Sequence, residues 1–257
     1  MASQHRHQKV NKRKQKVERG EKQIMEDIKN KQHDNDWSLD WFHPKGSQLD
    51  CIDSFYKNTF TIIDAPSGCG KTSLALWLCL NELKMRNYNQ LIFIKTPSEV
   101  GDDNIGFLSG SENDKLLAHM DTTKRIFYEF MSKNKLANDM SKDKIRLTIP
   151  NFLLGTSFHN SLVVIDECQL MSSPTIKLLT ERAGVDSKYI ILGDASQRYS
   201  VKKRGDGFTD FINRTTVEHR GERFSKYEPM AGYVKMSVHD NQRSEGSKFI
   251  NKLYEEH

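Results

Sequence analysis

The hydrophobic positions of this chain follow two alternating periods. Short runs of β-branched and aliphatic residues predict strands, and stretches with an apolar residue every three or four positions predict helices. We expect strands at residues 59–64, 90–95, 162–165, 189–192 and 233–237. We expect helices at residues 70–84, 112–138, 173–182, 207–214 and 247–254. Strands that alternate with helices favour an α/β fold, with a mostly parallel sheet flanked by helices.

The first 36 residues have a different composition from the rest. Residues 1–32 hold ten Lys or Arg and four Asp or Glu, a net charge of +6, whereas the whole chain carries +5. Few apolar residues occur there, so a packed core is not expected. We therefore divide the chain into a basic, flexible or helical tail over residues 1–36 and one folded domain over residues 37–257. A helical insertion is expected at about residues 111–148.

Composition excludes several classes of protein. The longest aliphatic run is Leu162–Ile165, far shorter than the ~20 apolar residues that cross a bilayer. No apolar segment near the start predicts a secretory signal. The four cysteines form no closely spaced pair, which argues against zinc ribbons and disulfides and favours a reducing cytoplasm.

The most informative segment follows the first predicted strand and opens the next helix. It reads Ala65-Pro66-Ser67-Gly68-Cys69-Gly70-Lys71-Thr72-Ser73, the pattern of a phosphate-binding loop. Glycines let backbone N–H groups turn toward phosphates, and the helix N-terminus favours an anion. We expect Lys71 to reach the β- and γ-phosphates and Thr72 to hold Mg²⁺. Ala65 replaces the usual first glycine. A chance glycine-rich turn is the alternative.

Two adjacent acids follow the aliphatic run Leu162–Ile165. Asp166 is placed to hold Mg²⁺, usually through water, and Glu167 to polarise an attacking water. Such a strand ending carries little information by itself. Because it comes about a hundred residues after a phosphate loop, it indicates a nucleotide-hydrolysing site.

A third strand ends in Gly193-Asp194-Ala195-Ser196-Gln197. The carboxyl ends of parallel strands meet at one edge of a sheet, where open α/β folds bind their ligands. Gln197 is therefore expected to hydrogen bond the γ-phosphate or the attacking water. For Asp194, a turn or helix cap is the alternative.

Together these motifs resemble the PhoH-like ATPases, which carry one RecA-like domain related to superfamily-one helicases. The resemblance covers about residues 43–256, with the motifs in the family's order. It rests on residues 91–110, 166–169, 179–194 and 240–243, which read LIFIKTPSEVGDDNIGFLSG, DECQ, LTERAGVDSKYIILGD and DNQR. The chain departs from the family pattern at Lys95, Ser109, Leu154 and Leu170, where the family has arginine, proline, arginine and asparagine.

The resemblance implies roles for two further residues. Gln48 lies where the family places a glutamine that reads adenine, since an amide pairs with both N6 and N7 of that base; an ordinary surface glutamine is the alternative. Arg243 matches the family's arginine, and an arginine that faces the γ-phosphoryl group stabilises its developing charge. Arg182 is the other candidate for this role, and a surface salt bridge is the alternative for both.

Assembly also follows from the resemblance. A superfamily-one helicase holds ATP between two RecA-like domains, whereas this chain has room for one. The neighbouring subunit would then supply the other wall of the site. Head-to-tail contacts of this kind close into rings, and the family resemblance implies a hexamer.

Two basic segments bear on whether the partner is a nucleic acid. Arg198–Arg204 follows Gln197 directly, and a second group comprises Lys133, Lys135, Lys142, Lys144 and Arg146. Charged runs are often solvated faces, so nucleic-acid contact and a solvated surface are both open.

The predicted function is Mg²⁺-dependent ATP hydrolysis coupled to remodelling of RNA or single-stranded DNA. The alternative is a slow ATP-dependent regulatory module that acts on protein partners without nucleic acid. The residues predicted to be catalytic are Lys71, Asp166, Glu167, Gln197 and Arg243. ATP is expected to contact Gln48 and the loop at residues 65–73, and Mg²⁺ to contact Thr72 and Asp166.

Overall fold

The computed structural model describes residues 36–96, 121–153, 157–197 and 207–241, together with residues 245–246, 249–250 and 253 of a last helical segment. The chain divides into two compact units, Met1–Ser38 and Leu39–His257, and the second is described below. The basic tail predicted over residues 1–36 lies outside the described residues, apart from Asp36.

A six-stranded sheet forms the centre of the domain. Its strand order is β3-β2-β4-β5-β1-β8, and all five neighbouring pairs are parallel. The strands are β1 (Phe60–Asp64), β2 (Gln90–Lys95), β3 (Ile145–Thr148), β4 (Ser161–Asp166), β5 (Lys188–Gly193) and β8 (Ala231–Lys235). Every residue of β4 is buried, as expected of a central parallel strand covered on both faces. The predicted α/β fold with a parallel sheet is confirmed.

Helices cover both faces of the sheet. They are α1 (Ser47–Lys57), α2 (Lys71–Lys84), α3 (121–127), α4 (Lys133–Ser141), α5 (Ser173–Thr180) and α6 (Gly207–Thr215). On β8, a Cβ added at Gly232 would meet Ser54 of α1 and Asn58, the residue that caps the end of α1. The next residue, Tyr233, packs on the opposite face, against the apolar cluster that α5 and α6 help to form.

The amino-end edge of the sheet is held by a lysine. Lys188, at the start of β5, donates from Nζ to the carbonyl oxygens of Phe55, Tyr56 and Asn58, over 2.5–3.0 Å. These carbonyls lie at the C-terminal end of α1, where a positive charge is favourable. This lysine, part of the motif at residues 179–194, therefore has a structural contact that ties α1 to β5.

The segment that leads into α1 is anchored by aromatic packing. Trp41 stacks on Phe130 with ring centroids 5.1 Å apart, and its Nε1 donates to the carbonyl of Glu129 at 2.8 Å. Phe42 is buried against Phe130 and Trp77. Phe42 and Phe130 are part of the folded core, and the half-exposed Trp41 packs on its surface.

Three sequence predictions of secondary structure were wrong in detail. The helix expected over residues 112–138 is interrupted within its described part. Helix α3 ends at residue 127 and α4 begins at Lys133, because Ser132 adopts an extended conformation and its hydroxyl accepts from the N–H of Lys135. The insertion expected at 111–148 also ends in an edge strand, β3, which has only four residues. The last predicted strand lies two residues earlier, at Ala231–Lys235.

A hairpin was not predicted at all. Strands β6 (Thr216–His219) and β7 (Glu222–Ser225) pair antiparallel. The turn between them is Arg220-Gly221, and both residues have positive φ, 53° and 82°. Such a turn matches the twist of a hairpin, but arginine in its first position is not a typical signal. Within the described ranges, no helix has the length and apolar character required to cross a bilayer.

Candidate functional site

The loop between β1 and α2 has the backbone of a phosphate cradle. Gly68 and Gly70 have φ of 93° and 72°, a region that favours glycine. The N-cap residue of α2 is Gly70, which makes no side-chain cap hydrogen bond, and the positive end of the helix dipole lies at the loop. Ala65, in place of the usual first glycine, is fully buried, and its N–H donates to the carbonyl of Gly193 at 2.9 Å. The loop is therefore shaped to receive an anion.

Two buried side chains from distant segments support this loop. Gln48 of α1 is completely buried; its Nε2 donates to the carbonyl of Cys69 at 3.0 Å and its Oε1 accepts from the N–H of Lys45 at 3.0 Å. A Cβ added at Gly70 would lie 3.0 Å from that amide nitrogen. A Cβ added at Gly68 would lie 2.6 Å from Oδ1 of Asn241. Both glycines are thus required by close neighbours as well as by φ.

The hydroxyl of Thr72 meets the carboxylate of Asp166 at the end of β4. Oγ1 lies 3.4 and 3.3 Å from the two carboxylate oxygens, and Asp166 is fully buried. Lys95 of β2 is its register partner, with Nζ 3.9 Å from Oδ2. A hydroxyl and a carboxylate are hard oxygen donors of the kind that bind Mg²⁺. These two residues fit a magnesium ion beside the phosphate cradle.

The electrostatics of Asp166 follow from its burial. Loss of hydration raises the pKa of Asp166 above the usual carboxyl value, and the neighbouring Glu167 raises it further, while Lys95 and Lys71 oppose the shift. A cation bound beside this buried carboxylate would stabilise its ionised form, since opposite charge favours ionisation.

Glu167 has an unusual backbone. Its φ of 58° and ψ of 41° are left-handed, and its N–H donates to Oδ1 of Asp166 at 3.0 Å. A non-glycine residue in this region is uncommon, and strained backbones of this kind cluster at functional sites. The turn aims the two adjacent acids in different directions, so that one lies beside Thr72 while the other contacts Gln169.

A tight turn after β5 completes the edge. Asp194 is buried and accepts at Oδ1 from the N–H of Ser196 at 3.0 Å, and the N–H of Gln197 donates to its carbonyl at 3.1 Å. Asp194 thus makes the contacts of a turn residue, the alternative that the sequence left open. The turn brings Oε1 of Gln197 to 3.4 Å from Nε2 of Gln169.

Asp64, the last residue of β1, joins this turn to the sheet. Its Oδ1 accepts from the N–H of Ala195 at 2.9 Å and its Oδ2 from the hydroxyl of Tyr233 at 3.1 Å. Burial raises the pKa of Asp64, and the two hydrogen bonds oppose that shift. The carboxylate links β1, β8 and the loop that carries Gln197.

The predicted residues divide into three groups by position. The loop residues 65–73, Gln48, Asp166, Glu167 and Gln197 lie at the carboxyl-end edge of the sheet. Arg182 lies at the opposite edge, where its carbonyl accepts from Phe158 ahead of β4. Arg243, Leu154, the basic segment 198–204 and the Gly-Phe-Leu segment at 106–108 lie outside the described residues.

The five residues of the second predicted basic group are spread over α4, the connection that follows it and β3. Lys133 begins α4 and lies 5.4 Å above the ring of Tyr128, whereas Lys142 and Lys144 come between the end of α4 and β3. Lys135 is paired with Asp139 at 2.5 Å. Arg146 lies within the edge strand β3.

Sequence reasoning missed Gln169, Asn241 and Asp64 as parts of the site. Gln169 stood in the Asp-Glu-x-Gln motif without a role, and Asn241 in the motif that ends at Arg243. Asp64 looked like the last residue of a strand. Gln169 and Asn241 both stand in sequence motifs, which was the available signal. Only the tertiary structure shows that the amide of Gln169 contacts Glu167 and that the amide of Asn241 lies beside Gly68.

Comparisons with known proteins agree with this geometry. The family model for "PhoH-like protein" matches residues 43–255. A PhoH-like protein of Synechocystis is 29% identical over 150 residues, which are 58% of this chain and 45% of that protein. The PhoH-like protein of Mycobacterium leprae is 26% identical over 146 residues, 57% of this chain and 42% of that protein. Protein PhoH2 of Mycolicibacterium smegmatis is 25% identical over 150 residues, 58% and 34% of the two chains.

These alignments cover less than half the length of the curated relatives. The crystal structure of the Pyrococcus furiosus Hef helicase domain aligns with a TM-score of 0.44 and 16% identity, over 80% of this chain and 42% of that one. The family model, by contrast, extends over most of the chain and includes the phosphate loop, the paired acids and the turn that carries Gln197. The chain belongs to the PhoH-like protein family, and its domain carries the phosphate loop of the P-loop NTPase type.

Proposed function

We propose that this protein binds ATP with Mg²⁺, hydrolyses the β–γ phosphoanhydride bond, and uses the cycle to act on RNA or single-stranded DNA. The observation that carries the proposal is the meeting of Thr72 and Asp166, 3.3 Å apart, beside a glycine-lined loop at the N-terminus of α2. This arrangement joins an anion cradle to two oxygen donors for a divalent cation.

Binding follows from the loop. The N–H groups of the loop and of the first turn of α2 would surround the phosphates. Lys71, the first residue of α2, would reach the β- and γ-phosphates. Thr72 and Asp166 would hold Mg²⁺, which when bound neutralises charge on the phosphate oxygens.

Hydrolysis requires a base and a way to orient water. In the proposed reaction a water oxygen bonds to the γ-phosphorus and the bond from that phosphorus to the β,γ-bridging oxygen breaks. The water gives a proton to Glu167, and ADP leaves with the electron pair of the broken bond. Gln197 would orient the water or the γ-phosphate, and Arg243 would stabilise the developing negative charge.

Base recognition is proposed for Gln48. Its amide would pair with adenine, which favours ATP over GTP. In the structure that amide already bonds to Lys45 and Cys69, so adenine would have to take over at least one of these contacts. Base binding and loop support would then be linked through one side chain.

Nucleic acid is the proposed partner because of charge. The tail at residues 1–32 carries +6, and Arg198–Arg204 follows the turn that ends at Gln197. A phosphate backbone releases counterions when it binds such segments, so its affinity falls with rising salt. Deletion of residues 1–32 is expected to weaken binding and to flatten the slope of log K against log salt.

A nucleotide-promoted ring, in the hexameric form, is proposed as the assembly. In it, the neighbouring subunit supplies the second wall of each site, and Arg243 acts either in trans on the next subunit's γ-phosphate or in cis at the seam. Mixing experiments distinguish these cases. Inactive Lys71→Ala subunits with an intact arginine would rescue Arg243→Ala subunits only if the arginine acts in trans. A strictly monomeric mass with ATP and Mg²⁺ at micromolar protein would rule out the ring.

The test of the function is an ATPase assay with and without single-stranded RNA or DNA. Turnover that requires Mg²⁺, disappears in Lys71→Ala and rises with nucleic acid would support the whole proposal. Turnover that nucleic acid leaves unchanged would favour a slow regulatory module that acts on protein partners. Lack of any turnover with ATP bound would contradict the assignment of hydrolysis.

A further inference from the structure

We propose that Gln169 is a positioning residue that holds the carboxylate of Glu167 and links it to Gln197. The inference rests on the proposed ATPase function, and it adds a part to that site. Gln169 lies in the short 3₁₀ turn Cys168–Leu170 directly after β4, and its side chain is buried, with 3% exposure.

The amide of Gln169 contacts three separate parts of the site. Its Nε2 donates to Oε2 of Glu167 at 2.8 Å and lies 3.4 Å from Oε1 of Gln197. Its Oε1 accepts from the N–H of Asp194 at 3.3 Å. An amide has two hydrogens and one carbonyl oxygen, so donors and acceptor are all directed at the ends of β4 and β5.

These contacts fix the orientation of Glu167. The backbone of Glu167 is set by its left-handed conformation, and Gln169 holds one oxygen at the far end of its side chain. A hydrogen bond to a carboxylate is stronger than one between neutral groups. Oε1, the other carboxylate oxygen, is then the atom placed to receive the proton of water.

The same amide connects Glu167 to the residue proposed to sense the γ-phosphate. The contact with Gln197 is longer than the contact with Glu167, 3.4 Å against 2.8 Å, so it is the weaker of the two. If Gln197 turns toward the γ-phosphate, the amide loses that neighbour and keeps Glu167. Gln169 would therefore transmit the position of Gln197 to the base through two hydrogen bonds, one to a residue 28 positions away and one to a residue two positions away.

A burial role alone makes a different prediction. If Gln169 only filled space, an apolar residue of similar size would leave turnover unchanged, although stability would fall because the buried N–H of Asp194 loses its acceptor. A positioning role instead predicts a fall in turnover with nucleotide binding retained. Kinetics therefore separate the two roles better than stability does.

The experiment compares Gln169→Glu and Gln169→Leu with the parent protein. Gln169→Glu keeps the size, loses the donor and places a carboxylate against Glu167. We expect kcat to fall about 10–100-fold in both variants, as for groups that orient catalytic ligands, while KM for ATP and the affinity for a non-hydrolysable ATP analogue change less than about two-fold. Gln90→Leu is the matched control, because Nε2 of Gln90 donates to a carbonyl, that of Asp143, at the other edge of the sheet.

A double-mutant cycle gives the second readout. In a Glu167→Gln background, measured by single turnover, Gln169→Leu is expected to cause no further loss of rate, since interacting residues are non-additive. Full additivity would overturn the positioning role, and so would a parent-like kcat in Gln169→Glu.

These outcomes are distinguishable from failure of the ATPase proposal. If the parent hydrolyses ATP, Glu167→Gln slows hydrolysis strongly and both Gln169 variants behave like the parent, only the role of Gln169 is wrong. If the parent has no ATPase activity that depends on Lys71, both proposals are wrong. If Gln169→Leu does not fold, Gln169→Glu and its cycle with Glu167→Gln decide the result.

Discussion

The phosphate loop and the neighbouring ends of β4 and β5 lie at the same edge of the sheet but are built differently. The loop is made of backbone: two glycines with positive φ and the uncapped first turn of α2. The ends of β4 and β5 instead carry side chains that hydrogen bond to their neighbours. Asp166 accepts from Thr72 of α2. The amide of Gln169 contacts both Glu167 and Gln197.

We expect this difference to separate nucleotide binding from the proposed turnover. A loop of N–H groups receives any group with the charge and shape of a polyphosphate. The side chains at the strand ends have geometry that depends on individual hydrogen bonds, which suits groups that must orient water. We expect substitutions in the loop to act on affinity and substitutions at the strand ends to act on kcat.

The largest expected effect compares Glu167→Gln with Lys71→Ala. Glu167→Gln keeps the shape of the side chain and removes the proposed base, so kcat should fall about 10²–10⁴-fold while ATP still binds. Lys71→Ala removes a positive charge from the cradle, so ATP affinity itself should fall. Single-turnover kinetics and equilibrium binding of ATP measure the two quantities. Parent-like hydrolysis by Glu167→Gln would show that another residue orients the water.

The second prediction concerns the backbone of the loop. Gly68→Ala places a side chain at φ 93° and 2.6 Å from Oδ1 of Asn241, so the loop or the Asn241 amide must move. We expect ATP affinity to fall about ten-fold, since left-handed backbone costs an L-residue roughly 1–2 kcal/mol and the contact adds to it. Isothermal titration with an ATP analogue measures the loss.

Gly221→Ala is the matched control for the loop. Gly221 has a similar φ of 82°, in the β6–β7 turn, and an added Cβ there meets nothing within 4 Å. This variant should lose stability and keep ATP affinity. Equal losses of affinity in the two variants would mean that general destabilisation, rather than loop geometry, explains the result.

Sequence predicted the loop better than the strand ends for a physical reason. The loop is a local motif, in which glycine spacing and the following helix determine the conformation. The contacts of Gln169 with Asp194 and Gln197 join residues 25 and 28 apart, and no local pattern records them. The same holds for the fold: the buried central strands are continuous aliphatic runs, whereas the four-residue edge strand β3 and the exposed hairpin β6–β7 have weak patterns.

The third prediction tests how base recognition and loop support share Gln48. Gln48→Ala removes the bond to the carbonyl of Cys69 for every nucleotide, but an adenine contact only for ATP. We therefore expect affinity for ATP to fall more than affinity for GTP, by about ten-fold if one good amide pair of about 1.4 kcal/mol is lost. The fall common to both nucleotides measures loop support. Equal losses of affinity for ATP and GTP would show that Gln48 does not recognise the base.

The smallest expected effect is on the pH dependence of stability. It is compared between two carboxylates, one on each side of the site. Asp64 supports the turn after β5, and burial raises its pKa. Asp240 supports the start of α1, the helix that carries Gln48. Burial acts to raise its pKa too, but hydrogen bonds from Ser47 and Ser237 outweigh burial, and the pKa is lowered.

The two signs give opposite expectations for the asparagine variants. A carboxyl group with a raised pKa stabilises the fold below its ordinary pKa and loses that contribution as pH rises, so Asp64→Asn should gain stability relative to the parent between about pH 4 and pH 7. A carboxyl group with a lowered pKa stabilises the fold above its ordinary pKa, so Asp240→Asn should be less stable than the parent at neutral pH, and the difference should shrink as pH falls below about 4. Urea unfolding at several pH values measures both, and we expect differences of no more than about 1–2 kcal/mol. If the free energy of unfolding changed with pH in the same way in both variants, the two carboxylates would share one environment. The contrast between the loop side and the strand-end side would then not extend to their electrostatics.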